Sequence, residues 1–184
     1  MMFGHMVDAL CWCLGEFREV SATLAMRRKT YTVIETQEQY PMNVDDQIVV
    51  GGVLESGAVV SIHYRGGVSR GTNLLWEING TEGDLQITSM SGHAQTFGAQ
   101  KFELTLRGGR GEDTGLKVLE IPGKYRAIPA EVEGFAVNVG GAYARFADGP
   151  GARDPVPDFD AALVRHRLLD AVERSAESGQ RVTL

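Results

Sequence analysis

Apolar residues near the start of the chain recur at the spacing of an α-helix. Met6, Leu10 and Leu14 follow one another every fourth residue, and Gly15 comes directly after them. A row of this period favours one buried helix face, and a glycine commonly ends a helix because it takes up the left-handed conformation without strain. The pattern predicts a short helix over residues 5–14 whose apolar row faces the core.

The last part of the chain predicts two more helices. Asp158 is a residue type that caps helix N-termini, and Gly179 is suited to end a helix. Between them Val164, Leu168, Ala171 and Ser175 share one helical face, so we expect a long closing helix that packs on a sheet. A linker rich in Gly and Pro precedes it. Before the linker, apolar residues recur at helical intervals at Phe135, Val139, Ala142, Tyr143 and Phe146.

The middle of the chain alternates between apolar and polar residues, which is typical of half-buried strands. Glycine-containing turns join neighbouring strands into hairpins, of which the first pairs 47–54 with 58–65. In the next hairpin we expect Gly80 and Gly83 to supply backbone conformations that other residues resist. The predicted strands are 20–26, 47–54, 58–65, 73–79, 84–88, 101–107 and 116–121, with glycine-rich loops at 66–72 and 108–115.

These elements predict an α+β fold with a large, mostly antiparallel open β-sheet and helices packed on one of its faces. In the strand 58–65, Ser61, His63 and Arg65 point to one side, so the uncovered face is polar there. A chain of 184 residues with 43% hydrophobic content is long enough to bury one core. We therefore expect a single domain over residues 1–184.

Composition narrows the classes of function. The net charge of −6 is spread without a basic patch, which argues against a nucleic-acid partner. The apolar runs fall far below the roughly 20 residues that a membrane span needs. Cys11 and Cys13 are two residues apart on a predicted helix, where their side chains diverge, so we predict neither a disulfide nor a metal site. These features predict a cytoplasmic protein.

The predicted first helix carries a polar, titratable face. His5 and Asp8 are one helical turn apart and Trp12 is a further turn along, so the three side chains line one side. Because imidazole titrates near neutral pH, His5 is suited to move the proton of a substrate hydroxyl group. The alternative is that His5 is a frayed terminal residue and that Trp12 packs at an edge.

Further candidates lie on the predicted sheet. His63 and Arg65 share a strand face and are placed to meet a polar ligand, although an open antiparallel face is polar in any case. Arg70 and Trp76 are candidates to clamp a sugar by hydrogen bonds and stacking, and the alternative for Trp76 is a place in the core.

The sequence argues against several other chemistries. No glycine-rich turn stands between a strand and a helix, so neither a dinucleotide-binding βαβ unit nor a phosphate-binding loop is predicted. The chain is therefore expected to bind no nicotinamide cofactor by itself. The nucleophile elbow of serine hydrolases is missing as well. Asp45 and Asp46 precede a strand, and we expect them to flank solvent rather than form an acid/base pair.

Four segments, taken together, resemble a known family. They are GHMVDALCWCLGEF, VVGGVLESGAVVSIHYRGG, WEINGTEGDLQI and PDFDAALVRHRLLDAVERSAESGQRV, in that order. Their order and spacing resemble the C-terminal domain of the Gfo/Idh/MocA family of sugar and polyol dehydrogenases, most closely its Gal80-like branch. The resemblance implies a preceding Rossmann domain that binds NAD or NADP. It also implies a large open sheet that lines the substrate site and often forms the dimer interface.

The resemblance also implies roles for individual residues. His5 matches the catalytic histidine that points at the substrate, and Asp8 matches an aspartate that holds the helix or the pocket. The family's aspartate four residues before the histidine falls on Met1, and the family's lysine belongs to the Rossmann half. The substrate-binding candidates are Asp8, His63, Arg65 and Arg70.

Three functions are compatible with this reasoning. The first is a substrate-binding and dimerisation domain of an NAD(P)-dependent sugar or polyol dehydrogenase, inactive without a Rossmann-domain partner. We expect such a domain to form a homo-oligomer through its open sheet face. The second is a Gal80-like regulatory module that binds protein without catalysis. The third is an orphan fragment without activity of its own.

Overall fold

The computed structural model describes residues 2–67, 70–89, 104–125, 128–129, 131–132, 135–149, 151 and 156–184. The chain divides into two compact units, Met1–Gly67 with Asp158–Leu184, and Val68–Pro157. Three α-helices and antiparallel strand pairs make up the regular structure of the described residues. The predicted α+β, antiparallel fold class is confirmed.

The first unit consists of a four-stranded sheet, two helices and a small ribbon. The sheet has the strand order β10-β1-β4-β5, and the ribbon pairs β2 with β3. The elements are α1 (Met2–Leu14), β1 (Phe17–Ala25), β2 (Thr30–Thr32), β3 (Gln39–Pro41), β4 (Gln47–Leu54), β5 (Val59–Arg65), α3 (Phe159–Ser178) and β10 (Val182–Thr183). The ribbon and β10 were not predicted from the sequence, because their residues are too few or too exposed to show a period.

The two helices of the first unit and its sheet share one core. Helices α1 and α3 and strands β1 and β4 all contribute buried apolar side chains. The buried residues are Phe3, Val7, Cys11, Phe17, Val20, Ile48, Val50, Leu54, Leu168, Ala171 and Val172. The removal of apolar side chains from water is the main source of stability for a unit of this kind.

The buried row of α1 differs from the predicted one. Phe3, Val7 and Cys11 are buried, whereas Leu10 and Leu14 are only partly buried and pack against the core from the side. The predicted row was wrong because Phe3 was left out, and a row that includes it turns the helix towards Val7 and Cys11. The end of the helix is confirmed, since Gly15 has a φ of 95° and donates its N–H to the Cys11 carbonyl over 2.9 Å.

The closing helix α3 is confirmed at both ends. The Asp158 carboxylate accepts the Ala161 N–H over 3.0 Å, and Gly179 ends the helix in the left-handed conformation. Of the predicted face, Leu168, Ala171 and Ser175 are buried, whereas Val164 is 38% exposed. The Ser175 hydroxyl accepts the Ala22 N–H of β1 over 3.0 Å. Helix α3 therefore packs on the sheet, as the sequence predicts.

The prediction that Asp46 flanks solvent was wrong, because its side chain is 5% exposed. Its two carboxylate oxygens accept the backbone N–H groups of Arg27 and Arg28, each over 2.9 Å. These bonds lower the pKa of Asp46, the bond from Arg27 contributing most, against the opposing effect of burial. Asp46 thus fixes the chain where it leaves β1.

The second unit contains a four-stranded sheet with the order β6-β7-β8-β9. Its elements are β6 (Leu74–Asn79), β7 (Gly83–Ser89), β8 (Thr105–Arg110), β9 (Lys117–Val118), a short 3₁₀ helix (Gly123–Tyr125) and α2 (Phe135–Asp148). The predicted hairpin of strands 73–79 and 84–88 is confirmed as β6 and β7, and the helix predicted before the linker is confirmed as α2. Residues 101–103 of the predicted strand 101–107, part of the loop 66–72 and part of the linker before α3 lie outside the described residues.

Two glycine predictions in the second unit need correction. Neither Gly80 nor Gly83 has a positive φ, and a Cβ atom at Gly83 would lie 2.6 Å from the Gly109 carbonyl oxygen. The glycine is therefore required by the close approach of β8, not by backbone conformation. Gly108 and Gly109 were predicted in a loop but belong to β8, since glycines hide the alternation of a strand.

Within the described part of the chain, no helix combines the length and the apolar composition that crossing a bilayer requires.

Candidate functional site

The exposed side of α1 carries the candidate residues His5, Asp8 and Trp12. All three side chains are exposed, and that of Trp12 is 58% accessible. The opposite side of the helix supplies its buried residues to the core, so a large rotation of the helix would expose apolar surface. The structure thus brings His5 and Asp8 onto one open face, one turn apart, as the sequence predicts.

Arg165 of α3 ties this helix to the rest of the first unit. Its Nε donates to Asp8 Oδ1 over 2.9 Å, and its Nη1 and Nη2 donate to the two carboxylate oxygens of Glu16 over 3.0 and 2.9 Å. The Arg165 side chain is only 13% exposed. Burial by itself would lower the pKa of Arg165, but the hydrogen bonds to Glu16 and Asp8 outweigh it and raise that pKa.

Arg165 was not among the residues singled out from the sequence. Its position was a usable signal, because it precedes Leu168 by three residues and Val172 by seven, which places it on the buried face of α3. An arginine on such a face needs carboxylate partners. The sequence does not say which carboxylates, since Asp8 and Glu16 lie about 150 positions away along the chain.

Cys11 lies on the buried side of α1 and is unsuited to be a nucleophile. Burial raises the pKa of its thiol to about 12. Cys13 is exposed, and partial desolvation raises the pKa of its thiol as well. Among the described residues, His, Cys, Asp and Glu side chains form no group of three that could hold a metal ion.

His63 and Arg65 lie on the other side of the sheet from α1. Along β5 the side chains of Ser61, His63 and Arg65 are exposed, as predicted. Tyr64 points the opposite way, and its ring lies 5.9 Å from the ring of Phe3 on α1. Because successive side chains of a strand alternate between faces, the sheet separates His63 and Arg65 from the helix that carries His5.

The remaining sheet candidates belong to the second unit. Arg70 is exposed, and Trp76 on β6 is half-buried. A groove of about 670 Å³ lies between the turn before β7 and the loop after β8. Residues 80–84, 109–111 and 113–116 line it, and its charged lining residues include Asp84, Arg110 and Asp113. None of the sequence-predicted site residues lines that groove.

Comparisons with known proteins concern the sequence and the fold of the chain. Residues 1–89 match the family model described as the C-terminal domain of Gal80p, Gal80p_C-like. The galactose/lactose metabolism regulatory protein GAL80 of Kluyveromyces lactis is 29% identical over 123 residues, which are 61% of this chain and 27% of that protein.

Solved structures extend the likeness to the whole chain. A crystal structure of the transcriptional regulator Gal80p from Kluyveromyces lactis matches with a TM-score of 0.75 and 25% identity, covering 98% of this chain and 46% of that one. A levoglucosan dehydrogenase in complex with NADH and L-sorbose matches with a TM-score of 0.69 and 21% identity, covering 98% and 48%.

The chain spans about half the length of these structures. The part that matches includes both compact units and all three helices, because 98% of the chain is aligned. In sequence and fold the chain thus resembles the C-terminal domain of Gal80p. Its fold is also similar to that of the oxidoreductase structures of the Gfo/Idh/MocA type.

Proposed function

We propose that residues 1–184 form one substrate-binding and oligomerisation domain of a cytoplasmic NAD(P)-dependent oxidoreductase that acts on a sugar or polyol. Its own chemical contribution is His5, whose imidazole accepts or returns the proton of a substrate hydroxyl group. The observation that carries the proposal is the exposed His5 on a helix whose other side is locked into the core. A dehydrogenase that holds NADH and L-sorbose shares this fold, which supports it.

The residues that the structure describes do not fit a nicotinamide dinucleotide. Within the described residues every strand pair is antiparallel, so there is no parallel βαβ unit whose helix N-terminus could take the pyrophosphate. We therefore assign the dinucleotide to protein outside this chain. The domain alone then binds substrate and positions His5, and it turns nothing over.

The two faces of the first unit receive different tasks in this proposal. We assign substrate contact to His5 on the helix side of the first unit and the holding of that helix to Asp8. Arg70, which belongs to the second unit, remains a separate prediction. The β5 face, which shows His63, Arg65 and the 84% exposed Val59, is assigned to contact between copies of the chain. A substrate role for His63 and Arg65 would require a ligand on that other face.

Reconstitution tests the proposal. The chain is mixed with the nucleotide-binding half of a full-length family member whose own C-terminal half has been removed, and NADH or NADPH formation is followed over a panel of aldoses and polyols. We expect turnover only when both halves are present. Each half alone is the control, and a mixture that binds both a sugar and NAD(P) yet shows no turnover contradicts the proposal.

A regulatory module is the second candidate, and the similarity to the Kluyveromyces lactis protein, which is named a regulatory protein, favours it. In this case the sheet and helix faces would contact protein, and His5 would have no chemical task. The distinguishing result is a protein partner that co-purifies with the chain, independently of nicotinamide, together with no turnover in the reconstituted mixture.

A further inference from the structure

Arg165 joins three parts of the first unit through one guanidinium group. It stands on α3, reaches Asp8 in the middle of α1 over 2.9 Å, and grips both oxygens of Glu16 just after the same helix. Paired, charge-assisted bonds of this kind fix both distance and direction. With only 13% of its side chain exposed, Arg165 has little freedom to leave these partners.

The bond to Asp8 acts on the exposed side of α1. Asp8 is 60% exposed and lies one turn after His5 on the same face. The apolar row holds the opposite side of the helix by contacts without direction, which allow small rotations about the helix axis. The hydrogen bond from Arg165 to Asp8, on the outer side of α1, has a fixed direction and restricts that rotation. It thereby also restricts the position of the His5 ring.

We propose that Arg165 is the positioning residue for His5, acting through Asp8 while Glu16 holds the guanidinium in place. The inference rests on the proposed function, because it concerns the residue that would handle the substrate proton. Only an arginine can serve all three carboxylate oxygens at once, since its planar fork presents several fixed donors, whereas lysine is a single point charge. Arg165 touches no substrate in this scheme.

Another arginine of α3 provides a matched control. Arg174 pairs with Asp170 four residues earlier, over 2.8 Å, and both side chains are mostly exposed. Exposed pairs within one helix contribute little. Removing Arg174 therefore changes the charge of the same helix by the same amount without touching α1.

The experiment compares D8N, R165M, R165K and R174M in the reconstituted two-half enzyme. We expect D8N and R165M to lower kcat about tenfold or more with KM changed less than about twofold, because small misplacement of a catalytic group acts on the chemical step. R165K should recover part of kcat, and R174M should equal wild type. In the isolated chain, D8N should speed hydrogen exchange of α1 amides while those of β4 keep wild-type protection.

The outcomes separate the two proposals. A wild-type mixture without turnover contradicts the proposed function, and hydrogen exchange then decides whether Arg165 holds α1. An active wild type whose D8N and R165M variants keep the kcat of R174M contradicts the positioning role alone. A fall in kcat that only follows loss of folded protein, with equal loss of protection in α1 and β4, also overturns it.

Discussion

Ser175 links the closing helix to the sheet by hydrogen bonds, and replacing it should show how much these bonds contribute to the free energy of unfolding. The side chain is 1% exposed. Its hydroxyl accepts the Ala22 N–H of β1 over 3.0 Å and donates to the Gln180 carbonyl over 2.7 Å. Strand β10 pairs with β1 at Glu19 and Val20, and Ser175 bonds the backbone of β1 two residues further on, at Ala22.

The cost of S175A follows from these two bonds. Each contributes about 0.5–1.5 kcal/mol net, and a buried N–H or carbonyl group left without a partner costs about 1–3 kcal/mol. Water can reach part of the site, so we expect a loss of about 2–4 kcal/mol in the free energy of unfolding. For a total stability of about 5–15 kcal/mol, that is a large fraction.

The assay is equilibrium unfolding in urea, followed by far-ultraviolet circular dichroism, with S178A as the control. The Ser178 hydroxyl donates to the Arg174 carbonyl over 2.6 Å and accepts the Gln180 N–H over 3.3 Å, and both bonds are exposed. Because water replaces both bonds, S178A should stay within about 0.5 kcal/mol of wild type. If S175A also stays within that margin at unchanged denaturant slope, the reasoning about the Ser175 hydrogen bonds is refuted.

Two further predictions concern residues whose surroundings were misjudged from the sequence. G83A should destabilise the second unit, because its new Cβ atom would meet the Gly109 carbonyl oxygen. G115A should not, because a Cβ atom at that position would have no other part of the protein within 4 Å. Equal thermal midpoints of the two variants would contradict this prediction. Asp46 has a lowered pKa, so its stabilising effect is present above its ordinary pKa near 4 and is lost as pH falls through the lower folded pKa. The unfolding free energy of wild type should therefore fall more steeply than that of D46N below about pH 4, and parallel curves would contradict this.

The sequence predicts the elements better than the contacts between them. Both ends of α3 follow from local chemistry, since Asp158 and Gly179 act on their own helix. The alternating faces of β5 also follow, because the period of a strand is a local property. Such local patterns do not predict the burial or the partners of a residue when these depend on another segment of the chain. Asp46 looks like a surface residue until the chain after β1 folds back onto its carboxylate.

The candidate site shows the same limit. The helical spacing of His5 and Asp8 predicts that they share a face, and it carries no information on what holds that face in place. Arg165 enters only through tertiary contact with α1. Likewise, nothing in the spacing of His63 and Arg65 indicates that the sheet stands between them and His5; the ring contact between Phe3 and Tyr64 establishes it.

The most direct test of the account is the turnover of H5A in the reconstituted enzyme, measured beside H166A. His166 is an exposed histidine of α3 without a role in the proposal. If His5 moves the substrate proton, H5A should lower kcat by about a hundredfold or more while H166A matches wild type. Equal turnover of H5A and H166A would contradict the claim that this domain supplies the imidazole of the reaction.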